Sequence, residues 1–186
     1  MRRNALILAF LGAALFFCGC TQPQPMDVVA RQPPDRQAAL RKCDMFVGQW
    51  AVSGSIRGPG DRPPVSFSGK NDVRWEGELL VARGTTTVDG VDSTAMAILT
   101  YDPVADVYRT VVISPDGSVG TATSRFDAQE VVLRGRIESV GPNGAMIWEG
   151  SVRFLDADTK AERWVGQERG AAGKAIEISK TERRVP

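Results

Sequence analysis

The stretch VVLRGRIESVGPNGAMIWEGSVRF, residues 131–154, decides the fold. In its first half Val131, Leu133 and Ile137 lie on one face of an extended strand, and the charged residues between them lie on the other face, because successive side chains of a strand alternate. The second half repeats this alternation after Asn143-Gly144, a pair that supplies the positive φ of a tight hairpin. The stretch therefore predicts two neighbouring antiparallel strands with one buried and one exposed face.

The same pattern predicts an all-β domain over residues 36–186. Short segments rich in Val, Ile, Thr and aromatic residues are separated by turn pairs such as Asp89-Gly90 and Asp116-Gly117. A meander of strands with one apolar face leaves two open edges, and closure removes both. We expect an antiparallel barrel of about ten strands, near residues 49–57, 65–75, 78–88, 93–101, 107–113, 118–126, 130–138, 145–155, 160–168 and 175–183.

A short helix is predicted before the first strand. Asp35 can cap it, and Ala39, Leu40, Cys43 and Phe46 follow at spacings that place them on one apolar face. Such a stripe is typical of a helix that packs on a neighbouring sheet, so we expect a lid or plug for the barrel. Cys43 is the one cysteine after residue 20. Burial is the commonest fate of such a cysteine, and an exposed thiol or an intermolecular link are the alternatives.

The first twenty residues, MRRNALILAFLGAALFFCGC, have the charged start and uncharged apolar run of a signal peptide. A helix of about fifteen apolar residues spans roughly 22 Å, short of the ~30 Å hydrocarbon core, which favours cleavage over a permanent span. Phe17-Cys18-Gly19-Cys20 resembles the lipobox of bacterial lipoproteins. The resemblance implies a signal peptide over residues 1–19 and lipid attached to Cys20.

Residues 20–35 follow as a lipidated cysteine and a tether rich in Pro and Gln. Because Thr21 rather than Asp follows Cys20, the resemblance to lipoproteins implies sorting to the outer membrane, with the domain on its periplasmic face. Two or more acyl chains make such an anchor stable. The expected partner at this end of the chain is therefore the membrane.

Composition excludes several kinds of chemistry. The 186 residues include 23 basic and 22 acidic residues without a long basic run, which argues against a nucleic-acid partner. Histidine is absent, which removes catalytic triads, Cys-His pairs and H-E-x-x-H zinc sites. Phosphate-binding loops, dinucleotide fingerprints and C-x-x-C pairs are also absent, and the clustered aspartates lack calcium-loop spacing. We therefore predict no catalytic residue, no metal site, no cofactor and no enzyme activity.

Several short motifs carry a resemblance to a known fold. Gly48-Gln49-Trp50, just after the predicted helix, resembles the Gly-x-Trp opening of lipocalin-like barrels. Ile98–Pro103, Ser114–Gly117 and Ile176–Ile178 resemble a bacterial domain-of-unknown-function group within the calycins. The resemblance covers residues 40–184 and implies a lipocalin-like barrel. It extends to the nitrobindins, which bind haem through a histidine, and since this chain has none, haem is not expected.

In lipocalin-like folds the tryptophan of the first strand crosses the closed end of the barrel and packs on a basic residue of the last strand. The resemblance implies this structural role for Trp50. Lys180, Arg183 and Arg184 are the candidate partners, and we predict Arg183. Such packing combines apolar area with a cation–π attraction of ~0.5–2 kcal/mol.

The remaining tryptophans, Trp75, Trp148 and Trp164, are predicted to line a possible ligand pocket. A barrel of about ten strands can enclose space beyond its side chains, although aromatic residues on strands also commonly fill a core. The first functional hypothesis is a membrane-anchored envelope lipoprotein whose barrel binds a small hydrophobic ligand. The alternative is a non-catalytic structural or adaptor lipoprotein that contacts another envelope protein, whose identity the sequence does not indicate.

Overall fold

A computed structural model describes residues 35–127, 132–142, 144–169 and 175–186. The predicted signal peptide, the lipidated Cys20 and the tether before Asp35 lie outside the described residues, as do Val131 and Asn143 of the opening stretch. Within the described part of the chain, no helix has the length and apolar character needed to cross a membrane.

The domain is a closed barrel of antiparallel strands, which confirms the predicted fold class. Each strand pairs with its neighbours along the chain, and the first pairs with the last, with Trp50 opposite Arg184 and Ile56 opposite Ile178. Closure pairs both edges of the sheet that the described strands form. The strands are β1 Gly48–Arg57, β2 Val65–Glu76, β3 Leu79–Val88, β4 Val91–Asp102, β5 Val107–Ile113, β6 Val119–Asp127, β7 Val132–Gly141, β8 Gly144–Phe154, β9 Thr159–Glu168 and β10 Ala175–Arg184.

In the described residues, the helix α1 (Arg36–Arg41) and a 3₁₀ turn (Asp44–Phe46) precede the barrel and pack against one end of it, called here the helix end. Asp35 caps α1, since its Oδ1 accepts a hydrogen bond from the Gln37 N–H at 2.9 Å. The Tyr108 hydroxyl donates to the Ala39 carbonyl at 2.8 Å and ties the helix to β5. The opposite end, where β1 finishes, is called here the far end.

Cys43 is buried beneath this helical segment, 1% exposed, as predicted, and its thiol is free. Burial raises its pKa to about 12, and the neighbouring Asp44 adds to the rise. A thiol of this pKa stays protonated and is a poor nucleophile. Cys43 is therefore a small apolar core residue.

Trp50 closes the helix end. Its side chain is completely buried, its Nε1 donates to the Phe46 carbonyl at 2.8 Å, and the edge of Phe154 meets its ring. The Arg184 guanidinium lies 4.4 Å from the centre of the ring and the Lys160 ammonium lies 4.8 Å from it. Arg184 also donates from Nη2 to the Met45 carbonyl at 3.1 Å. The residue is enclosed by cations, aromatic edges and backbone.

The basic partner on the last strand differs from the predicted one. Arg184 covers the Trp50 ring, whereas Arg183 is exposed and pairs in register with the exposed Ala51. Adjacent residues of a strand face opposite sides, so only one of the two arginines can reach the tryptophan. The choice follows from the pairing of β1 with β10, which places Arg184 opposite Trp50.

Candidate ligand-binding cavity

The interior of the barrel is open. A cavity of about 240 Å³ lies among the inward-facing side chains of the strands. Most of its lining is apolar, since every second residue of each strand faces the core. The barrel therefore encloses a pocket and is not filled by its side chains. Its apolar lining includes Val52, Phe67, Leu80, Leu99, Val112 and Ile178.

Small residues on β3 and β4 leave space for the cavity. Ala82 and Gly84 of β3 and Ala95 and Ala97 of β4 all line the cavity. Gly84 has a packing reason of its own, because a Cβ at this position would overlap the Asn71 side chain. Larger side chains at these positions would fill the space that the other strands enclose.

Four charged side chains of β9 and β10 form a buried ionic cluster in the wall of the cavity: Lys160, Glu162, Lys180 and Glu182. Their side chains are between 0% and 10% exposed. Lys180 Nζ lies 2.8 Å from Glu182 Oε1 and 3.0 Å from Glu162 Oε2, and Lys160 Nζ lies 3.0 Å from Glu182 Oε2. Two ammonium groups therefore face two carboxyl groups, and such pairing is what makes buried charge tolerable.

Glu182 is the centre of the cluster. Besides the two lysines, it accepts a hydrogen bond from Asn71 Nδ2 at 3.0 Å. Burial raises the pKa of Glu182, but the ammonium groups of Lys180 and Lys160 outweigh burial and hold the pKa well below its usual range. Burial also lowers the pKa of Lys180, and the carboxylates of Glu162 and Glu182 more than reverse this, so that its pKa is raised.

The pKa of Glu162 is shifted in the opposite direction to the pKa of Glu182. Burial, together with the nearby Glu182 carboxylate, raises the pKa of Glu162, and the two lysines only partly counter the rise. Of the two carboxyl groups, Glu162 is therefore the one that takes up a proton more readily.

Trp164 connects the apolar cavity to the ionic cluster. Its side chain lines the cavity, and its Nε1 donates to Glu162 Oε2 at 3.1 Å. The other two predicted lining residues lie elsewhere. Trp148 is buried but does not line the cavity, and Trp75 is half-buried at the helix end, where its Nε1 donates to Asp44 Oδ1 at 2.8 Å.

Trp148 and Trp164 belong to two Trp-x-Gly segments that match each other across neighbouring strands. Trp148 of β8 pairs with Gly166 of β9, and Gly150 of β8 pairs with Trp164 of β9. A Cβ on Gly150 would lie 2.6 Å from Trp164 Cε3, and one on Gly166 would overlap the ring of Trp148. Glycine at these two positions lets each indole pack directly on the neighbouring strand.

Sequence reasoning missed the ionic cluster, although a signal was present. Inward positions of β9 follow a period of two, so that Lys160 and Glu162 share a face with Trp164. Lys180 and Glu182 of β10 share a face with Ile178 in the same way. Charged residues in phase with the apolar positions of a strand indicate a buried polar site.

Metal binding finds no support in the described residues, where no group of three or more Cys, Asp or Glu side chains converges as metal ligands would.

Comparisons with known proteins extend the description of the fold. No family model matches the chain, and no curated protein matches it significantly. Rv2717c from M. tuberculosis is similar in structure, with a TM-score of 0.63 at 15% identity over 82% of this chain and 100% of that one. The S-type phycobiliprotein lyase CPES from Guillardia theta has a TM-score of 0.55 at 11% identity, over 81% of this chain and 92% of that one. At these identities the likeness shows the fold alone, and it fits a lipocalin-like barrel.

Proposed function

We propose that this protein is a bacterial envelope lipoprotein, anchored through Cys20 to the periplasmic face of the outer membrane, whose barrel binds a small amphipathic molecule. The observation that carries the proposal is the cavity of about 240 Å³ with apolar walls and one buried ionic cluster. Apolar cavities with a few convergent polar groups are the usual form of small-molecule sites.

The size of the cavity restricts the ligand. Its volume lies just below the roughly 300–1,000 Å³ of typical small-molecule pockets. A molecule with one short hydrocarbon chain fits this volume better than a lipid with two acyl chains. The apolar part would lie against residues such as Leu99, Val112 and Ile178, and the polar end would reach the ionic cluster.

The charge balance of the cluster favours a neutral polar end. Lys180 uses two of its three N–H donors on Glu162 and Glu182, which leaves one for a ligand hydroxyl or carbonyl. A ligand carboxylate would add a third negative group beside two lysines. It would therefore bind together with a proton, and Glu162, whose pKa is raised, is the group that would accept it.

The proposal is tested by titrating the detergent-extracted full-length chain with 1-decanol and decanoic acid while following tryptophan fluorescence. We expect saturable binding of both, with decanoic acid binding more tightly as the pH is lowered and 1-decanol responding little. Trp164 lines the cavity, so Trp164→Phe should remove most of the fluorescence change.

Two matched substitutions on β6 provide the control. Ala122→Leu places a larger side chain in the cavity, whereas Thr123→Leu changes the exposed neighbour. We expect at least a tenfold loss of affinity in the first and no change in the second. Equal affinities in both variants, or no binding to the unsubstituted chain, would overturn ligand binding in the cavity and favour the adaptor alternative.

The anchor is tested separately by labelling cells with a palmitate analogue. We expect incorporation to be lost in Cys20→Ala and kept in Cys18→Ala. The reverse pattern would move the anchor to Cys18, and retention of label in both variants would contradict a lipid on either cysteine.

A catalytic role is a second candidate. One structural neighbour is a phycobiliprotein lyase, and at 11% identity the likeness shows the fold alone. The specific observation in favour is the Glu162–Glu182 pair, because two carboxyl groups whose pKa values are pushed in opposite directions are typical of acid–base pairs. If the bound molecule is converted, Glu162→Gln should stop conversion while leaving binding within about threefold.

A further inference from the structure

Two hydroxyl groups in the lining of the cavity have no hydrogen-bond partner among the described residues. They belong to Thr110 of β5 and Ser124 of β6. Ser124 is 5% exposed and Thr110 is half-buried. A Cβ on Gly135 of β7 would lie 2.5 Å from Ser124 Oγ, so this glycine leaves the space that the hydroxyl occupies. Buried polar groups are normally hydrogen-bonded, so two hydroxyls that border the same open space point to a group that fills it.

The two hydroxyls are neighbours on the cavity wall. Thr110 pairs with Ala122, and Tyr108 pairs with Ser124, so Thr110 and Ser124 are diagonal neighbours on adjacent strands. Diagonal neighbours on one face of a sheet are roughly 7–8 Å apart, within reach of one polar group between them. Ala122 and Val112, which line the same part of the wall, are apolar. Thr110 and Ser124, called here the hydroxyl pair, therefore form one polar patch in apolar surroundings.

The hydroxyl pair faces the ionic cluster across the width of the barrel. In the closed ring of strands, β5 is five strands from β10 in either direction, so it lies directly opposite β10. Thr110 is the next inward residue after Tyr108, whose hydroxyl donates to a carbonyl of α1. Glu182 is the next inward residue after Arg184, which donates to the Met45 carbonyl in the 3₁₀ turn. Both therefore belong to the first inward-facing layer next to the helix end.

The other hydroxyl-bearing residues of the lining are Thr86, Ser93 and Thr94, and they lie towards the far end. They belong to the end of β3 and the start of β4, close to the turn at Asp89-Gly90, and Thr94 is exposed. Solvent can therefore satisfy hydroxyls in that region. The hydroxyl pair lies instead at the end of the cavity that α1 and the 3₁₀ turn cover.

The two facing sides of the cavity differ in charge. The ionic cluster offers an ammonium N–H of Lys180, whereas a serine or threonine hydroxyl can donate or accept a hydrogen bond without carrying charge. None of the described lining residues on β5 and β6 is charged. A charged group on that side would therefore be buried without a counter-ion, which is costly. The hydroxyl pair suits a neutral hydroxyl or carbonyl group.

We infer that Thr110 and Ser124 form a second polar subsite, which hydrogen-bonds a neutral hydroxyl or carbonyl group of a ligand whose first polar group meets the ionic cluster. This inference rests on the proposed function and narrows its ligand class. The ligand has two polar groups a few carbons apart, because they lie across the width of the barrel and long lysine side chains narrow that width. Any longer apolar part extends towards the far end.

The test moves a second hydroxyl along a ten-carbon chain. The full-length chain in detergent is titrated with 1-decanol and with 1,4-, 1,6- and 1,10-decanediol. We expect 1,4- or 1,6-decanediol to bind about fivefold or more tightly than 1-decanol, since one buried hydrogen bond contributes about 1 kcal/mol. The 1,10-isomer should bind no more tightly than 1-decanol, because its second hydroxyl lies at the far end of the chain.

Three substitutions assign the preference to the hydroxyl pair. Thr110→Val and Ser124→Ala each remove one hydroxyl, and the variant with both substitutions should bind the preferred diol and 1-decanol equally. The affinity for 1-decanol should stay unchanged in all of these variants. Thr123→Val, which removes the hydroxyl of the exposed neighbour on β6, should keep the preference.

A second readout separates a ligand site from a structural role. Removing hydroxyls that have no protein partner should leave the melting temperature of the ligand-free protein unchanged or raise it by a few degrees, although it weakens diol binding. A clear fall in melting temperature in both Thr110→Val and Ser124→Ala would overturn the subsite.

The outcomes distinguish the two proposals. If 1-decanol binds but neither the 1,4- nor the 1,6-diol binds more tightly, or if the doubly substituted variant keeps the preference, the second subsite is wrong and the proposed function stands. If no probe binds the unsubstituted chain, the proposed function itself is overturned, and the inference that rests on it is overturned with it.

Discussion

Trp50 and Trp164 show how one residue type serves two purposes in one barrel. Trp50 is completely enclosed, and its Nε1 donates to a backbone carbonyl, an acceptor that does not titrate. Trp164 lines a cavity, and its Nε1 donates to the carboxyl group of Glu162. The difference lies in the hydrogen-bond partner. A backbone acceptor makes Trp50 part of the framework, whereas a titratable acceptor beside open space makes Trp164 part of the candidate site.

Trp50→Ala should have the largest effect on stability, because it removes a fully buried indole together with its hydrogen bond and its two cationic neighbours. We expect a loss of about 3–5 kcal/mol, measured by thermal or urea unfolding. Trp75→Ala, at a half-buried tryptophan of the same end, is the control and should lose clearly less. Unchanged unfolding in Trp50→Ala would remove its assignment as the closing residue.

Glu182→Gln should have the next largest effect on stability, because it leaves Lys160 and Lys180 with Glu162 as their one remaining acidic partner in the cluster. Removing one partner of a buried ion pair destabilises a protein by about 3–5 kcal/mol. Because glutamine has nearly the same shape as glutamate, we expect a loss of stability at the lower end of that range. Denaturant unfolding at pH 7 measures the loss. A stability equal to that of the unsubstituted chain would show that the cluster is not held by charge.

The same variant carries a pH prediction. Because the pKa of Glu182 in the folded state lies below its ordinary value of 4.5, its contribution is complete above that pH and is lost as the pH falls below it. Glu182→Gln should therefore lose less stability between pH 5 and pH 3 than the unsubstituted chain does. Melting temperatures across this range, compared with those of the exposed variant Glu149→Gln, test the expectation.

Gly166→Ala should have an intermediate effect, since the added Cβ would overlap the ring of Trp148. We expect a loss of about 1–3 kcal/mol from the forced shift of the indole. Gly58→Ala, where an added Cβ meets nothing, should change stability by less than about 0.5 kcal/mol. Equal effects of the two substitutions would contradict the packing of Trp148 on the glycine.

The smallest expected difference in stability is between variants of the two arginines at the end of β10. Arg184→Ala removes the cation above Trp50 and its bonds to backbone carbonyls, and we expect a loss of about 1–2 kcal/mol. Arg183→Ala, at an exposed position, should stay within about 0.5 kcal/mol. A larger effect at Arg183 would reverse the correction to the predicted partner.

Much of the framework was predictable because its signals are local. Alternation along residues 132–154 predicted a pair of strands, and Asp35 predicted the start of a helix. The apolar stripe through Cys43 predicted that this face of the helix is buried. The role of Trp50 came from a resemblance of three residues. Each of these depends on the residue and its near neighbours along the chain.

The ionic cluster and the cavity were not predictable in the same way. Each strand alone shows one lysine and one glutamate in phase with its apolar positions. Only the pairing of β9 with β10 places Lys160 opposite Glu182 and Lys180 opposite Glu162. The cavity depends on small residues that lie side by side, Ala95 next to Gly84 and Ala97 next to Ala82, and only the pairing of β3 with β4 brings them together.

The sequence by itself determined the alternation of faces, the turns, the capped helix and hence an all-β barrel. The tertiary structure alone decided that Arg184 rather than Arg183 covers Trp50, that four charges meet inside, and that space remains beside Trp164. The physical reason is that a strand's period of two sets which residues share a face, whereas register and closure decide which face is inward and what lies across from it.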